Sequence, residues 1–246
     1  MARFGLIGKS LGHSFSKSYF TEKFQKKGLN HSYDNFELAS IDDFPKLLSE
    51  NSDLRGLNVT IPYKEAIIPF LDEIDPVAAE IGAVNTILIS NGKTKGYNTD
   101  VTGFQNSLKP YLKHGMEKAL ILGTGGASKA VAYVLRNLGI ACFFVSRKPD
   151  ELGQIAYGDL NEEAMKQFKL IVNTSPVGTF PEVDQYPDIP YEYLSNQHLL
   201  YDLIYNPSQT IFLKKGSDKG ATTLNGLGML KAQAEASYEI WLSESK

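Results

Sequence analysis

Leu120-Ile121-Leu122-Gly123-Thr124-Gly125-Gly126-Ala127-Ser128 is the stretch that decides the fold. Three apolar residues read as a buried strand, stop on a glycine turn, and pass into residues 128–138, where Val131, Val134, Leu135 and Leu138 fall on one helical face. Strand, glycine turn and helix in that order form the opening of a dinucleotide-binding βαβ unit. Glycines let backbone approach a pyrophosphate, and a helix N-terminus offers unpaired N–H groups and the positive end of its dipole. The spacing is GxGGAS rather than GxGxxG, and a tight strand-to-helix turn that binds nothing has the same signature. The tip of the next strand, 141–145, chooses between cofactors. A carboxylate there would hold ribose hydroxyls, but the sequence continues Ser146-Arg147-Lys148, and Asp150 comes too late. Two cations suit a 2′-phosphate, which an arginine fork grips with two hydrogen bonds; a pair of solvated surface cations is the plainer alternative.

Outward from this loop, strands alternate with helices, a pattern that favours a parallel sheet and an α/β class. Ahead of it, the pattern predicts a strand over 3–7, a helix over 16–27 stopped by Gly28, a strand over 32–36, a helix over 43–50 and a strand over 56–60. Short helices follow over 62–70, with Pro62 in the first turn, and over 76–81. Residues 86–89 and 94–97 form a hairpin about Asn91-Gly92, a pair that favours the tight primed turn. A bridging helix over 102–113 leads to the glycine loop. Beyond it lie strands over 170–173 and 199–203, one short helix over 161–168, a surface loop over 180–193, and a final helix over 226–241 carrying Leu227, Leu230, Ala234, Tyr238 and Trp241.

The chain has 246 residues, 42% hydrophobic and 22% charged, enough for a sizeable core without a disulfide or metal staple. A net charge of −3 argues against an extended basic face for nucleic acid. The single cysteine, Cys142, sits in an apolar run and reads as a packed thiol; such usage fits a reducing cytoplasm. His31, His114 and His198 are scattered without metal-ligand spacing, so no metal is expected. Residues 1–8 are too short an apolar stretch for a signal peptide, and no apolar run approaches about 20 residues, so no membrane partner is expected.

Chemistry is carried by Asn58-Val59-Thr60-Ile61-Pro62-Tyr63-Lys64 and Gly96-Tyr97-Asn98-Thr99-Asp100. Both read as strand ends, which in open α/β folds is where ligands bind. A lysine near its ordinary pKa of about 10.4 is a poor base at neutral pH, and a close carboxylate holds it charged and oriented. Beside Asp100, Lys64 is a workable proton-transfer group for an alcohol that loses hydride; an exposed lysine paired with Glu65 is the bland alternative. Ser14 and Ser16 offer two hydroxyls to a polyhydroxylated acid, or Ser16 caps the following helix. His13 reads as a structural hydrogen-bonding group. Together these features imply a nucleotide-dependent dehydrogenase with a lysine acid–base.

In order and spacing, HSFSKS (13–18), GLNVTIPYK (56–64), GAVNT (82–86), GYNTDVTGF (96–104), GTGGASKA (123–130), NTSPVG (173–178), YDLIYNP (201–207) and NGLGMLKAQAEAS (225–237) resemble the NADP-dependent shikimate dehydrogenase family over nearly the whole chain. The resemblance implies an N-terminal α/β substrate domain, residues 1–101 and 226–246, and a Rossmann-like NADP domain, residues 102–225, with the C-terminal helix returning to the first. It implies reversible reduction of 3-dehydroshikimate to shikimate, domain closure over a cleft, and a monomer or homodimer in the cytoplasm. It implies Lys64 as acid–base with Asp100 as partner. Ser14, Ser16, Thr60, Asn85, Asp100, Tyr205 and Gln233 would bind substrate. Gly123, Gly125, Gly126 and Ala127 would hold the pyrophosphate, Ser146, Arg147 and Lys148 the 2′-phosphate, and Leu203 and Gly226 the nicotinamide. The family usually has proline at Lys17, methionine at Thr179 and a longer segment than 148–170. Two alternatives stay open: a quinate/shikimate relative using NAD, which Arg147 and Lys148 disfavour, and a silent ligand-binding module on the same fold.

Overall fold

Apolar segments bounded by turns build one sheet in each half of the chain. The computed structural model describes residues 2–12, 14–149 and 154–243. His13, expected as a structural group, and Asp150 lie outside them. The chain divides into two compact units, Met1–Thr99 with Ala234–Lys246, and Asp100–Gln233.

The first unit contains β1 (Ala2–Gly8), α1 (Phe15–Lys26), β2 (His31–Glu37), α2 (Phe44–Glu50), β3 (Leu54–Val59), β4 (Glu73–Ile74), α3 (Pro76–Ile81), β5 (Thr86–Ser90) and β6 (Lys93–Tyr97). The strand order is β2-β1-β3-β5-β6-β4. β1 runs parallel to β2 and β3, while β5 is antiparallel to both β3 and β6. Asn91 and Gly92 both take positive φ, as the primed turn requires, and close the hairpin with Ser90 opposite Lys93. Successive strand residues point to opposite faces, so Ile87 joins Ile7, Phe44, Leu57 and Ile67 on one side, and Leu88 joins Phe4, Phe20, Phe24 and Trp241 on the other.

Trp241 decides how closely the last helix approaches. Its indole stacks on Phe4 at 4.8 Å and donates from Nε1 to the Ile87 carbonyl at 3.0 Å. A Cβ on Gly56 would stand 2.3 Å from that nitrogen. Gly56→Ala is therefore expected to destabilise by about 1–3 kcal/mol, a melting-temperature loss of about 2–4 °C per kcal/mol. Gly12→Ala, whose Cβ would meet nothing within 4 Å, is the control in the same thermal scan. An unchanged midpoint for Gly56→Ala would show that the indole yields freely.

The second unit contains α4 (Asp100–Leu108), β7 (Lys118–Leu122), α5 (Gly126–Asn137), β8 (Ala141–Ser146), β9 (Gln154–Ala156), α6 (Glu162–Gln167), β10 (Leu170–Asn173), β11 (Leu199–Asp202), α7 (Ile211–Ser217), β12 (Thr222–Leu224) and the start of α8 (Leu227–Ser243). Its strands are all parallel in the order β12-β11-β10-β7-β8-β9. The order reverses beside β7, and the crevice outside the carboxyl ends at such a switch point is where open α/β sheets bind ligands. One sheet face packs Ile121, Val172 and Tyr201 against Phe104, Val131, Leu135 and Met229. The other packs Leu120, Leu122 and Ile171 against Met165, Phe168 and Phe212. Cys142 is a free, half-buried thiol at the edge of the first of these clusters.

Three expectations need correction. Residues 62–70 do not form a helix: they are turns ending in a 3-10 turn, Ile68–Phe70. The carbonyl of Lys64 accepts from the Val84 N–H at 2.7 Å, so the ladder that would propagate a helix is diverted sideways. The bridging helix stops at Leu108 and tightens into a 3-10 turn, Lys109–Tyr111, because Pro110 has no N–H to continue it. Residues 148–170 hold a strand, β9, besides the one helix foreseen.

Candidate functional site

In the first unit Thr60 and Lys64 lie just beyond the end of β3. Thr60 follows Val59 out of the sheet, donating its N–H to the Ile7 carbonyl at 2.9 Å and accepting from the Tyr63 N–H at 3.0 Å. Tyr63 is buried and its hydroxyl donates to the Leu38 carbonyl at 2.6 Å. Lys64 comes next, half-buried, with its carbonyl fixed by Val84. The turn thus positions Thr60 and Lys64 through their neighbours' anchors.

Beside that turn lies a buried polar network. The Asn58 amide donates to the Asn85 carbonyl, to Thr86 Oγ1 and to Ser237 Oγ at 3.0–3.3 Å, and its Oδ1 accepts from the Tyr33 hydroxyl at 2.8 Å. Asn85 Oδ1 accepts from the Thr99 N–H at 2.7 Å, and the hydroxyls of Thr86 and Ser237 pair at 2.7 Å. Satisfied buried networks of this kind rigidify what they support. Burial pushes the Tyr33 phenol well above its ordinary range, with a hydrogen bond to Ser16 acting the other way. Ser16, Asn58, Tyr33 and Asn85 are thereby brought together.

The helix cap differs from expectation. Ser14, not Ser16, is the N-cap of α1, its hydroxyl accepting from the Lys17 N–H at 3.3 Å. Ser16 lies inside the first turn, buried, with its hydroxyl turned to Tyr33.

In the second unit the glycine loop lies at the switch point. Gly123 has φ +112°, a conformation favouring glycine, and a Cβ there would meet Thr174 Oγ1 at 3.0 Å. Gly125 is the N-cap of α5, without a side-chain cap and with open space about it. Gly126 and Ala127 open the helix, and Ser128 turns inward to the Gly125 carbonyl at 2.6 Å. A glycine-rich loop, interrupted only by Thr124, at the head of a twelve-residue helix fits a dinucleotide pyrophosphate. At the tip of the adjacent strand, Ser146 Oγ accepts from the Lys148 N–H at 3.2 Å, turning the chain so that Arg147 and Lys148 stand exposed.

Leu203 and Gly226 meet directly: a Cβ on Gly226 would lie 1.9 Å from the Leu203 carbonyl oxygen. Asp100 is buried at the first residue of α4, and Gln233 is buried on α8 beside Gly103. Tyr205 is at the surface, its phenol raised by partial burial. Asp100, Tyr205 and Gln233 belong to the second unit, and Ser14, Ser16, Thr60, Lys64 and Asn85 to the first.

Sequence reasoning missed the two polar residues that hold the tips of β10 and β11. Asp202, fully buried, accepts from Asn173 Nδ2 at 3.0 Å, from the Ile204 N–H at 3.1 Å and from the Thr210 hydroxyl at 2.6 Å. Burial pushes its pKa up to about 6. Asn173 Oδ1 in turn accepts from the Ser175 hydroxyl at 2.7 Å. The signal was present: a polar residue closing each apolar strand run, with a Ser or Thr a few positions on.

Among the described residues no group of three or more His, Cys, Asp or Glu is placed to hold a metal ion, and no helix is long and apolar enough to cross a membrane.

Residues 6–87 match the model of the shikimate dehydrogenase substrate binding domain. A shikimate dehydrogenase (NADP(+)) of Methanococcus maripaludis strain C6 is 40% identical over 255 residues, spanning 96% of this chain and 90% of that one. The shikimate dehydrogenase structure from Aquifex aeolicus superposes with a TM-score of 0.88 at 35% identity, covering 98% of this chain and 92% of the other. The shikimate 5-dehydrogenase of Thermus thermophilus, solved with NADP(H) and shikimate, gives 0.86 at 34% identity, covering 98% and 93%.

Proposed function

Because the chain belongs to the shikimate dehydrogenase family, we propose that it catalyses the reversible NADP-dependent reduction of 3-dehydroshikimate to shikimate, a step toward aromatic amino acids, with Lys64 and Asp100 as its acid–base pair. The chain is an oxidoreductase acting on a CH–OH group. The observation that carries the reading is a likeness of 40% identity running along 96% of the chain. Cys142, the only cysteine and a free thiol, suits a reducing cytoplasm as the working compartment.

NADP(H), when bound, supplies or accepts the hydride. Gly123, Gly125, Gly126 and Ala127 receive its pyrophosphate, a role supported by the φ of Gly123 and the uncapped head of α5. Ser146, Arg147 and Lys148 receive the 2′-phosphate, and the joined pair Leu203 and Gly226 the nicotinamide. Ser14, Ser16, Thr60, Asn85, Tyr205 and Gln233 bind the hydroxyls and carboxylate of the substrate.

Lys64, as an ammonium, donates a proton to the ketone oxygen as it becomes the alcohol, and takes it back in the reverse direction. Asp100 is assigned as that lysine's partner in proton transfer. A backbone held at Thr60, Tyr63 and Lys64 supports this role, because a proton-transfer group needs a fixed position.

Absorbance at the reduced-nicotinamide band tests the reading. Shikimate with NADP is expected to give strong turnover, with NAD or quinate giving little. Equal rates with NAD or quinate would move the chain to the relaxed relatives, and no turnover by folded protein with any pair would leave a silent binding module.

A further inference from the structure

We infer that Tyr157 is a second reader of the cofactor's adenosine 2′-phosphate, its phenol donating a hydrogen bond beside the Arg147 guanidinium. The inference rests on the NADP reading given above. It starts from strand register. β8 and β9 are parallel neighbours, with Phe144 opposite Gln154, Val145 opposite Ile155 and Ser146 opposite Ala156. Arg147 and Tyr157 are the first residues beyond the ends of the two strands. They therefore leave the sheet side by side at its carboxyl edge, where the second strand of a nucleotide-binding unit meets the ribose 2′ position.

The surroundings of Tyr157 suit a donor. Its ring is half-buried against the cluster of Val145, Leu160 and Phe168. That packing fixes its position without removing it from the edge. The Arg147 cation acts on the phenol directly, so the two groups share one electrostatic environment. Burial, the largest influence, raises the phenol pKa; Arg147 lowers it and Asp188 raises it again, leaving it above its ordinary value. The hydroxyl is then a neutral donor throughout the physiological range. A phosphate dianion needs donors and cations together, and a phenol O–H next to a guanidinium supplies both. Gly158 and Asp159, which follow, are exposed, so the edge stays open to solvent and to a ligand.

Calorimetric binding of two fragments to the full-length, cofactor-free protein tests this. Adenosine 2′,5′-bisphosphate carries the 2′-phosphate; adenosine 5′-monophosphate lacks it. Tyr157→Phe keeps the ring and removes only the hydroxyl. It is expected to weaken the bisphosphate by about tenfold, the size of one hydrogen bond to a charged group, and to leave the monophosphate and the melting temperature unchanged. A purely structural tyrosine would weaken both fragments alike or neither, and either result overturns the proposal. Arg147→Ala in the same titration separates the two levels of the argument. If it reduces the preference for the bisphosphate while Tyr157→Phe does not, the NADP reading stands and the role of Tyr157 falls. If the unmodified protein shows no preference between the fragments, both fall.

Discussion

Lys64→Ala is expected to lower kcat by about 10²–10⁴-fold, the range of a lost general acid–base, with little change in shikimate affinity. The size follows from what else the site holds. The residues proposed to bind the substrate's hydroxyls, Ser14, Ser16, Thr60 and Asn85, are expected to keep their backbone and buried supports when the lysine side chain is trimmed, because Lys64 contributes its carbonyl, not its side chain, to the bond with Val84. Binding survives while the proton has no carrier. Lys64→Arg sharpens the test: guanidinium keeps the charge but does not release a proton near neutral pH, so this variant is expected to be slow as well. Steady-state kinetics, shikimate binding by calorimetry and a thermal scan of each variant are the measurements. Full turnover in Lys64→Ala would remove the lysine from the chemistry, and a collapse of shikimate binding with normal kcat would make it a substrate ligand instead.

The second large effect is expected at the cofactor. Arg147→Ala should raise the KM for NADP by about 10–100-fold, the worth of a charge-assisted contact to phosphate, and leave the KM for NAD nearly where it was. Lys148→Ala should do the same more weakly, since an ammonium lacks the guanidinium's two-pronged geometry. The turn that presents both cations is made by Ser146, whose hydroxyl takes the Lys148 N–H. The ratio of kcat/KM for the two cofactors is the readout. Equal losses with NADP and NAD would show that Arg147 supports the loop rather than reading the phosphate.

Much of this was legible before any coordinates. Strand–glycine–helix patterning located β7 and α5, and the Asn91-Gly92 pair located the β5–β6 hairpin, because those signals are local and strong. The two- and three-residue strands β4, β9 and β12 are too short to show a period, and they exist because a longer neighbour offers a free edge. The helix expected after Pro62 failed for a nonlocal reason: its carbonyl partner came from Val84, twenty residues on. At the site, side chains with chemistry were readable by type and spacing. Asp202 and Asn173 left only a faint trace, a polar residue closing an apolar run, because their task is to satisfy one another and the loops around them. Ser14 and Ser16 were readable as a pair, but which of them caps α1 was settled by the burial of Ser16.

The last helix gives the chain an unusual order of birth. Ala234, Tyr238 and Trp241 complete the cluster that includes Phe4, Phe20 and Phe24; Ser237 completes the hydroxyl network about Asn58; and Glu235 bonds both Tyr19 and Lys23. All belong to the first unit. During synthesis on a ribosome, residues 1–99 of that unit emerge first, yet its closing strip is made only after the whole of residues 100–233. Those residues are contiguous and need nothing made later. The half made second is therefore the first able to finish folding, and the half made first waits with Phe20, Phe24 and the Gly56 groove unsealed. A nascent chain stopped between Gln233 and Trp241 leaves its oldest part, not its newest, as the part that quality-control machinery sees exposed.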